Sequence, residues 1–464
     1  MKTNARIKSI ATPVFIVLTL FFGLPSFSQE IKQSSDRPVL DAETKKQIVK
    51  QVGEVLVNGY AFPDTAKKMN LFITDRLNKG EYQNIDSARE FGQVLTQDLR
   101  KIKNDLHLHV AYGPKTVRRI RNSRSQSVEE KKKALEEKIA RERKQNFGFE
   151  ELRILEGNIG YLKLGYFSSL RPAGETCAAA MNCLANAAAI ILDLRSNSGG
   201  SHFMLKLISS YFIEDYTNLW NFEWQEEGKK HIEQHWILPF VPGRTLFDKD
   251  LYILLSRSTF SAAEGFSYNM RSLKRATLIG EKTQGGGIAG ELEVINDDFI
   301  IFVPKYKSIN PITNEYIDIE GQGVTPHVEV PAGRALLAAH LLAIDMAIKG
   351  STDIEPDNEL DWIKDWLDVK YSPAKFDLSM SKSYVGYYAD KFEIYFDNGS
   401  LYLRESSTYI EYPGFFSKLI PLSEGLFVLE KVHFVRIRFE IGQDKKITAT
   451  LLYQNGNTIK VEKQ

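Results

Sequence analysis

The sequence lacks most of the short motifs that mark the common enzyme classes. It contains no G-x-S-x-G turn, no H-E-x-x-H, no phosphate-binding glycine loop and no cluster of cysteine with histidine. These absences argue against an α/β-hydrolase elbow, a zinc peptidase and a nucleotide-binding enzyme. With 60 basic against 59 acidic side chains, the chain also lacks the positive charge that is typical of nucleic-acid-binding proteins.

Cysteine is almost absent, since Cys177 and Cys183 are the only two in 464 residues. Both lie in an alanine-rich stretch with the composition of a helix. Six residues along a helix separate two Cα atoms by about 9 Å, which is too far for a disulfide. An irregular path would permit a small disulfide loop. Neither arrangement resembles a metal site, so we interpret the two thiols as structural.

The first 28 residues have the pattern of a cleaved export signal. A basic start precedes a short apolar run at 14–22, and small residues lead to a cleavage site that we place after Ser28. An uncleaved membrane anchor is the alternative. The sequence therefore predicts a protein that is exported to the periplasm or the extracellular space, with no membrane span after cleavage.

The rest of the chain divides into segments of different pattern. Helical periodicity predicts an N-terminal helical domain over 29–114 and a basic helical linker over 115–148. Alternating strands and helices predict an α/β core over 149–350, followed by a linker helix over 351–375 and an antiparallel β domain over 376–464. We interpret the basic linker as a solvated bridge between domains, and a surface for acidic partners is the alternative.

Short apolar stretches of the core predict buried, parallel strands. They are ILEGNIGYLKL, AIILDLR, DLYILLS and ATLIGEK, with helices predicted over 175–189, 201–213 and 261–273. After the core, ELDWIKDWLDVKY predicts a closing helix. In the C-terminal domain, KFEIYFDNGSLYLRE predicts a hairpin that turns at Asp397-Asn398-Gly399.

Four stretches carry the residue types that acyl transfer needs. They are STFSAAEGF with Ser261, RSNSGG with Gly199 and Gly200, NDLHLHV with His107 and His109, and EGQGVTP with Glu320. A serine nucleophile requires a base, an orienting group for that base, and backbone donors for the oxyanion. From the residues alone, the alternatives are a helix cap, a structural histidine and a loop carboxylate.

In order and style these stretches resemble the tail-specific, or C-terminal-processing, serine peptidases. Within that family the chain is similar to the tricorn-core and interphotoreceptor-retinoid-binding-protein-like branch. NGYAFPDTA and NFGFEELRILEGNIGYLKL also resemble the helical cap and first core strand of its members, so the likeness extends over residues 40–345. The resemblance implies an α/β core of the ClpP/crotonase-like kind beneath an N-terminal helical cap.

The resemblance also implies a role for each residue of the four stretches. These roles are Ser261 as nucleophile, His107 as base with His109 as second choice, Glu320 as support, and Ala262 with either Gly199 or Gly200 as backbone oxyanion donors. They make the predicted function that of an exported serine peptidase acting on peptide or protein substrates, with no metal or cofactor. The alternative is a non-catalytic protein that binds an apolar ligand or a peptide on the same fold.

Some neighbouring residues are excluded from these roles. One large branch of the family uses a lysine base, and this chain has Gly286 at that position. Lys282 is close in sequence but out of register, so a serine–lysine dyad is not expected. His327 stands where the family usually has aspartate, and we interpret it as structural. Capping of the helix after the nucleophile is assigned to Ser258 and Thr259.

Overall fold

The computed structural model describes residues 40–226, 229–317, 319–350, 358–374, 382–389, 391–405 and 415–464. The predicted export signal lies outside these residues. Within the described ranges, no helix has both the length and the apolar character that crossing a membrane requires.

The described part of the chain contains ten α-helices, α1 to α10, and nineteen strands, β1 to β19. In chain order the helices are Ala42–Gly59, Pro63–Asn78, Ala88–Ile102, Pro114–Ser125, Val128–Lys144, Leu170–Leu184, His202–Phe212, Ala262–Ser272, Ala335–Gly350 and Asn358–Tyr371. The strands are His109–Tyr112, Phe149–Leu155, Ile159–Leu164, Ala189–Asp193, Asn218–Glu226, Lys229–Trp236, Asp250–Leu255, Ala276–Gly280, Ala289–Val294, Phe299–Ile309, Val328–Glu329, Gly386–Tyr388, Phe392–Asp397, Ser400–Glu405, Phe416–Ser423, Leu426–Leu429, Val432–Ile441, Ile447–Tyr453 and Thr458–Glu462.

The N-terminal region is helical, as its periodicity predicts. Helices α1, α2 and α3 bury one apolar face each in a common cluster, which β1 and β10 complete. Helix α3 begins after Ser87, its N-cap residue, which accepts a hydrogen bond from the Glu90 N–H at 3.4 Å. This region therefore packs directly on a sheet that leads to the core.

The basic segment forms α4 and α5. Ser127 and Glu130 make both hydrogen bonds of a capping box at the start of α5. None of the described side chains of α5 is fully buried, but half-buried Ile139 packs against the core cluster, and two polar pairs join the helix to the core. Lys138 donates to Ser169 Oγ at 3.3 Å, and Ser168 Oγ donates to Glu142 at 2.7 Å. Helix α5 is thus a solvated element that lies on the core surface.

The core is a six-stranded sheet in the order β11-β8-β7-β4-β3-β2. All neighbours pair in parallel except β2 and β3. Side chains alternate between its faces: Ile190 and Leu192 pack against α6, α7 and α8, while Ile191 packs against α9 and α10. Each fully buried aliphatic side chain of this kind contributes about 1.5–3 kcal/mol.

Two sequence predictions about the core are wrong in detail. ILEGNIGYLKL contains two antiparallel segments, since the chain turns at Gly157 between β2 and β3. The helix predicted over 175–189 ends earlier, at Leu184, because residues from Ala189 onward form the buried strand β4. The other three apolar stretches form β4, β7 and β8 as predicted.

A second sheet, which the sequence did not predict, joins the helical region to the core. Its strand order is β1-β10-β5-β6, and β9 pairs with the other side of β10. The long strand β10 lies against the N-terminal helices through Phe299, Ile301 and Val303. This sheet places the segment before β1 next to the core.

The C-terminal sheet is an antiparallel meander of eight strands, β12 to β19. A bridge between Tyr388 and Lys463 brings its first and last strands together, so the sheet is nearly a closed barrel. The predicted hairpin is confirmed: Asn398 and Gly399 form its two-residue loop with φ of 44° and 76°. Trp366 of α10 donates to the Leu429 carbonyl at 2.9 Å and so fastens the barrel to the core.

The two cysteines differ in access, which gives a direct prediction. Both lie in α6 as free thiols, Cys177 buried and Cys183 exposed, and burial raises the pKa of Cys177 to about 12. We expect iodoacetamide to label Cys183 alone in the native protein and both thiols in urea, as measured by peptide mass. Native labelling of Cys177, or protection of Cys183, would contradict this arrangement.

Candidate active site

Ser261 lies in a sharp turn between β7 and α8. Its backbone has φ 56° and ψ −122°, a region that residues other than glycine rarely adopt. The preceding residues fasten this turn to the one after β4, because Thr259 Oγ1 donates to the Leu194 carbonyl at 2.8 Å and the Phe260 N–H donates to the Asn197 carbonyl at 3.0 Å. Ser261 is thereby held at the carboxyl end of the parallel strands, where α/β folds bind ligands.

The prediction about helix capping is wrong. The N-cap residue of α8 is Ser261 itself and neither Ser258 nor Thr259. The Ser258 N–H donates to Ser256 Oγ at 2.9 Å, and Thr259 Oγ1 accepts from the Ser256 N–H at 3.0 Å. Cap and candidate nucleophile are therefore the same residue, whose backbone starts the helix while its hydroxyl faces His107.

The imidazole of His107 lies between a hydroxyl and a carboxylate. Its Nε2 is 3.4 Å from Ser261 Oγ, and its Nδ1 is 3.7 Å from Glu320 Oε2. Two phenyl rings flank it, that of Phe260 at 4.7 Å and that of Phe302 at 5.8 Å between centroids. Both polar distances are long for hydrogen bonds, as is common in sites that tighten only when substrate binds.

His109, the second choice for the base, has a different position. Its Nδ1 is 2.8 Å from the His107 carbonyl oxygen, and its ring stacks on Phe302 at 5.9 Å. Burial lowers the pKa of His109. Of the two histidines, the structure brings only His107 to Ser261.

Glu320 is buried and accepts three backbone hydrogen bonds. Its Oε1 accepts from the Leu106 N–H at 2.8 Å, and its Oε2 accepts from the N–H groups of Gly287 at 2.7 Å and Ile288 at 3.1 Å. Burial acts to raise the pKa of Glu320, but His107 and the backbone donors outweigh it and hold that pKa below its usual range. A fixed negative charge therefore stands beside His107 Nδ1.

Asp105 fixes the backbone of the segment that carries His107. Its carboxylate accepts from the Tyr60 hydroxyl at 2.9 Å and from the N–H groups of His107 at 3.1 Å and Leu108 at 3.2 Å. Burial, together with the charge of Glu320, raises the pKa of Asp105. Asp105, His107 and Glu320 offer ligand atoms within 4.8 Å of one another. Each of the two carboxylates already accepts three hydrogen bonds from the protein.

Gly199 lies against the turn that contains Ser261. A Cβ at this position would be 2.7 Å from Ser261 Cβ and 3.0 Å from the Ala262 nitrogen, so only glycine permits the approach. The Gly199 N–H donates to Asn197 Oδ1 at 2.8 Å and is therefore occupied. Of the two glycines that the sequence offered, Gly200 is left as the candidate donor.

The direction of the Gly200 N–H follows from peptide geometry. The Gly199 carbonyl accepts from the Phe167 N–H at 2.7 Å, on the β3 side of β4. In a trans peptide the N–H points opposite to the C=O, which is towards β7 and Ser261. Ala262 is the first residue of α8, so its N–H has no partner within the helix. In the described part of the chain, neither N–H meets an acceptor.

Sequence reasoning missed the part played by Glu264. This fully buried carboxylate accepts from the Ser261 N–H at 2.9 Å, Thr283 Oγ1 at 2.5 Å, and the N–H groups of Gly285 and Gly286, both at 2.7 Å. Burial raises the pKa of Glu264, although the hydrogen bonds from these donors act to lower it. Glu264 thus links the turn that contains Ser261 to the glycine loop at 285–287. Its S-x-x-E spacing from Ser261 was the available signal.

Gly286 is the point where that loop touches His107. A Cβ here would be 2.3 Å from the Phe260 ring and 2.7 Å from His107 Cε1. The space that a side chain at 286 would need is therefore filled by the histidine and its aromatic neighbour. His327, outside this group, accepts the Leu278 N–H at its Nδ1 at 2.9 Å, which is a structural contact.

Comparisons with known proteins agree with these features. Residues 158–330 match the model of peptidase family S41, and residues 41–146 match that of the N-terminal domain of Peptidase_S41 in eukaryotic IRBP. A "Probable CtpA-like serine protease" of Staphylococcus epidermidis is 27% identical over 176 residues, 38% of this chain and 34% of that protein. The carboxyl-terminal-processing protease of Synechocystis sp. is 28% identical over 173 residues, 36% of this chain and 37% of that protein.

The matched region is thus little more than a third of either relative. Among solved structures, the photosystem II D1 C-terminal processing protease aligns with a TM-score of 0.31 and 22% identity, over 38% of this chain and 42% of that one. The chain belongs to peptidase family S41.

Proposed function

We propose that this chain is a serine peptidase that hydrolyses peptide bonds of peptide or protein substrates. The observation that carries the proposal is the line from Ser261 Oγ through His107 to Glu320. The three residues come from distant segments of the chain, because Ser261 is 154 residues and Glu320 is 213 residues after His107. Such a line provides a nucleophile, a base and a group that orients the base.

In the proposed reaction, Ser261 Oγ attacks the carbonyl carbon of the scissile bond while His107 Nε2 takes its proton. The negative charge of Glu320 favours the imidazolium that results. His107 then gives the proton to the leaving amine, and the peptide bond breaks to leave an acyl group on Ser261. A water molecule, deprotonated by His107, hydrolyses this ester and restores the serine.

The tetrahedral intermediates of both steps carry an oxyanion. We assign its stabilisation to the N–H groups of Ala262 and Gly200, which flank Ser261. One such donor lowers the barrier by about 3–4 kcal/mol in serine peptidases. The position of Ala262 at the start of α8 adds the favourable end of the helix dipole.

The finer architecture and the location of the protein belong to the same proposal. A ClpP/crotonase-like core under a helical cap is supported by the parallel strands β3, β4, β7 and β8 and by the helices α1 to α3. Export after cleavage near Ser28 is supported by the signal pattern of the first 28 residues. The domain limits predicted from the sequence are likewise retained as proposals.

A fluorophosphonate probe tests the proposal, because it reacts only with an activated serine. We expect one adduct on the protein, mapped by peptide mass to Ser261 and missing in Ser261→Ala. The same samples are incubated with an unfolded protein, whose fragments report peptide-bond cleavage. A folded protein that gives neither adduct nor fragments would overturn the proposal in favour of an apolar-ligand or peptide carrier on this fold.

A further inference from the structure

One face of the second sheet carries aromatic side chains next to the Ser261 site. Ser308 of β10 lies opposite Phe222 of β5 in an antiparallel pair, so their side chains share a face. The Ser308 hydroxyl donates to the Gly287 carbonyl at 3.3 Å. Gly287 follows Gly286, which abuts His107. Phe222 is therefore close to the edge of the glycine loop at 285–287.

Phe222 also reaches the opposite side of the site. Its ring centroid is 6.2 Å from that of His202, the first residue of α7. His202 stands two positions after Gly200, the candidate oxyanion donor. The phenyl ring thus neighbours both the segment that follows Gly200 and the loop that contacts His107.

From Phe222 the aromatic surface continues away from Ser261. The ring of Tyr306 is 5.9 Å from Phe222 and 5.5 Å from Trp224, and Trp224 stacks on His231 at 5.2 Å. All four side chains are half-buried, so part of each ring faces solvent.

The carboxylates nearest Tyr306 are paired or lie at the exposed rim, since Glu291 accepts from Lys305 at 2.9 Å and both Glu226 and Glu233 are exposed. The Tyr306 hydroxyl donates to Glu291 Oε1 at 2.6 Å. Burial lowers the pKa of His202 to about 4, so this neighbour is neutral at neutral pH. Glu233, cross-strand from Phe222 on the same face, is exposed at the rim. An apolar side chain bound here would contact aromatic carbon and would displace water from few charged groups of the protein.

We propose that Phe222, Trp224 and Tyr306 form a subsite for a large apolar or aromatic side chain of the peptide substrate, close to the bond that is cleaved. The inference rests on the proposed function and specifies its substrate class. A subsite of this kind discriminates Phe or Leu from Ala by roughly tenfold or more. Small or acidic side chains gain little from the same rings.

Two readouts test the subsite, one with and one without catalysis. In the first, the full chain digests an unfolded protein, and mass spectrometry of the new termini reads the residues beside each cleaved bond. In the second, immobilised Ser261→Ala protein retains peptides from a tryptic digest of unfolded proteins, and their composition is compared with the input. We expect about tenfold enrichment of Phe, Tyr, Trp and Leu in both readouts.

Trp224→Ala should reduce the enrichment several-fold, and Trp224→Phe should keep most of it. The matched control is Trp236→Ala, since Trp236 lies on the same hairpin but stacks on Tyr216 at 5.0 Å, away from the subsite. Circular dichroism melting confirms that the variants are folded.

Each outcome separates the subsite from the proposed function. Retention of aromatic peptides without cleavage by the parent protein would keep the subsite and overturn the peptidase function. Cleavage without aromatic preference, or a preference that survives Trp224→Ala, would overturn the subsite and keep the function. Absence of both enrichment and cleavage would overturn both.

Discussion

Replacing His107 by asparagine is expected to lower kcat by about 10⁴-fold or more, as loss of the base does in serine peptidases with a relay. Asparagine keeps a polar group of similar reach but cannot accept and return a proton at neutral pH. The fluorophosphonate reaction of Ser261 should slow in parallel, because the hydroxyl loses its activating partner at 3.4 Å. Steady-state hydrolysis of a peptide and the rate of probe labelling measure the two effects.

His109→Asn is the matched control for this prediction. Its amide can still donate to the His107 carbonyl, which now receives His109 Nδ1 at 2.8 Å. We therefore expect kcat to fall less than about tenfold, far below the effect at His107. If His109→Asn were the variant that lost activity while His107→Asn kept it, the assignment of the base would be wrong.

Gly286→Ala is expected to lower kcat by about 100-fold without unfolding the protein, because a misplacement near 1 Å has an effect of this size on a positioned catalytic group. The added Cβ would lie 2.7 Å from His107 Cε1 and 2.3 Å from the Phe260 ring, both too close. One of the two rings must move, and both border Ser261. The loop cannot retreat easily, since the Gly286 N–H is held by Glu264 at 2.7 Å.

Gly265→Ala provides the control for this substitution. Gly265 lies in α8, and a Cβ there would only touch Leu205 at 3.9 Å. Alanine should stabilise the helix by roughly 1 kcal/mol, and kcat should stay within about twofold. Melting curves and kcat separate the two variants. A Gly286→Ala protein with the kcat of the parent would contradict the prediction, because it would show that a methyl group at position 286 does not displace His107.

Local pattern predicted the structure wherever near neighbours in sequence decide it. Ser127 and Glu130 form their capping box within one helical turn, and Asn398-Gly399 turns its hairpin because both residues accept positive φ. The apolar runs of β4 and β7 are buried on both faces, so their continuous hydrophobicity marks them as parallel strands.

Local pattern failed where distant segments decide the outcome. Strands β5 and β6 carry aromatic and charged residues without strict alternation, because most of their side chains are half-buried or exposed on both faces. The pairing of β5 with β10 depends on a segment some eighty residues away, as Ser308 and Phe222 show. No window of sequence contains that information.

For the active site, local patterns along the chain were enough to specify the residue types: Ser261 at a strand-to-helix turn, a glycine pair after a buried strand, two histidines and Glu320 before a glycine turn. Tertiary structure decided which of them meet. It placed His107 rather than His109 beside Ser261, and it left the N–H of Gly200 rather than that of Gly199 without an acceptor among the described residues. It also made Glu264 the link between the turn at Ser261 and the loop at 285–287. The physical reason is that composition and turn chemistry act within a few residues. Hydrogen-bond direction and ring contacts depend instead on how separate sheets are packed, and only the folded chain brings those sheets together.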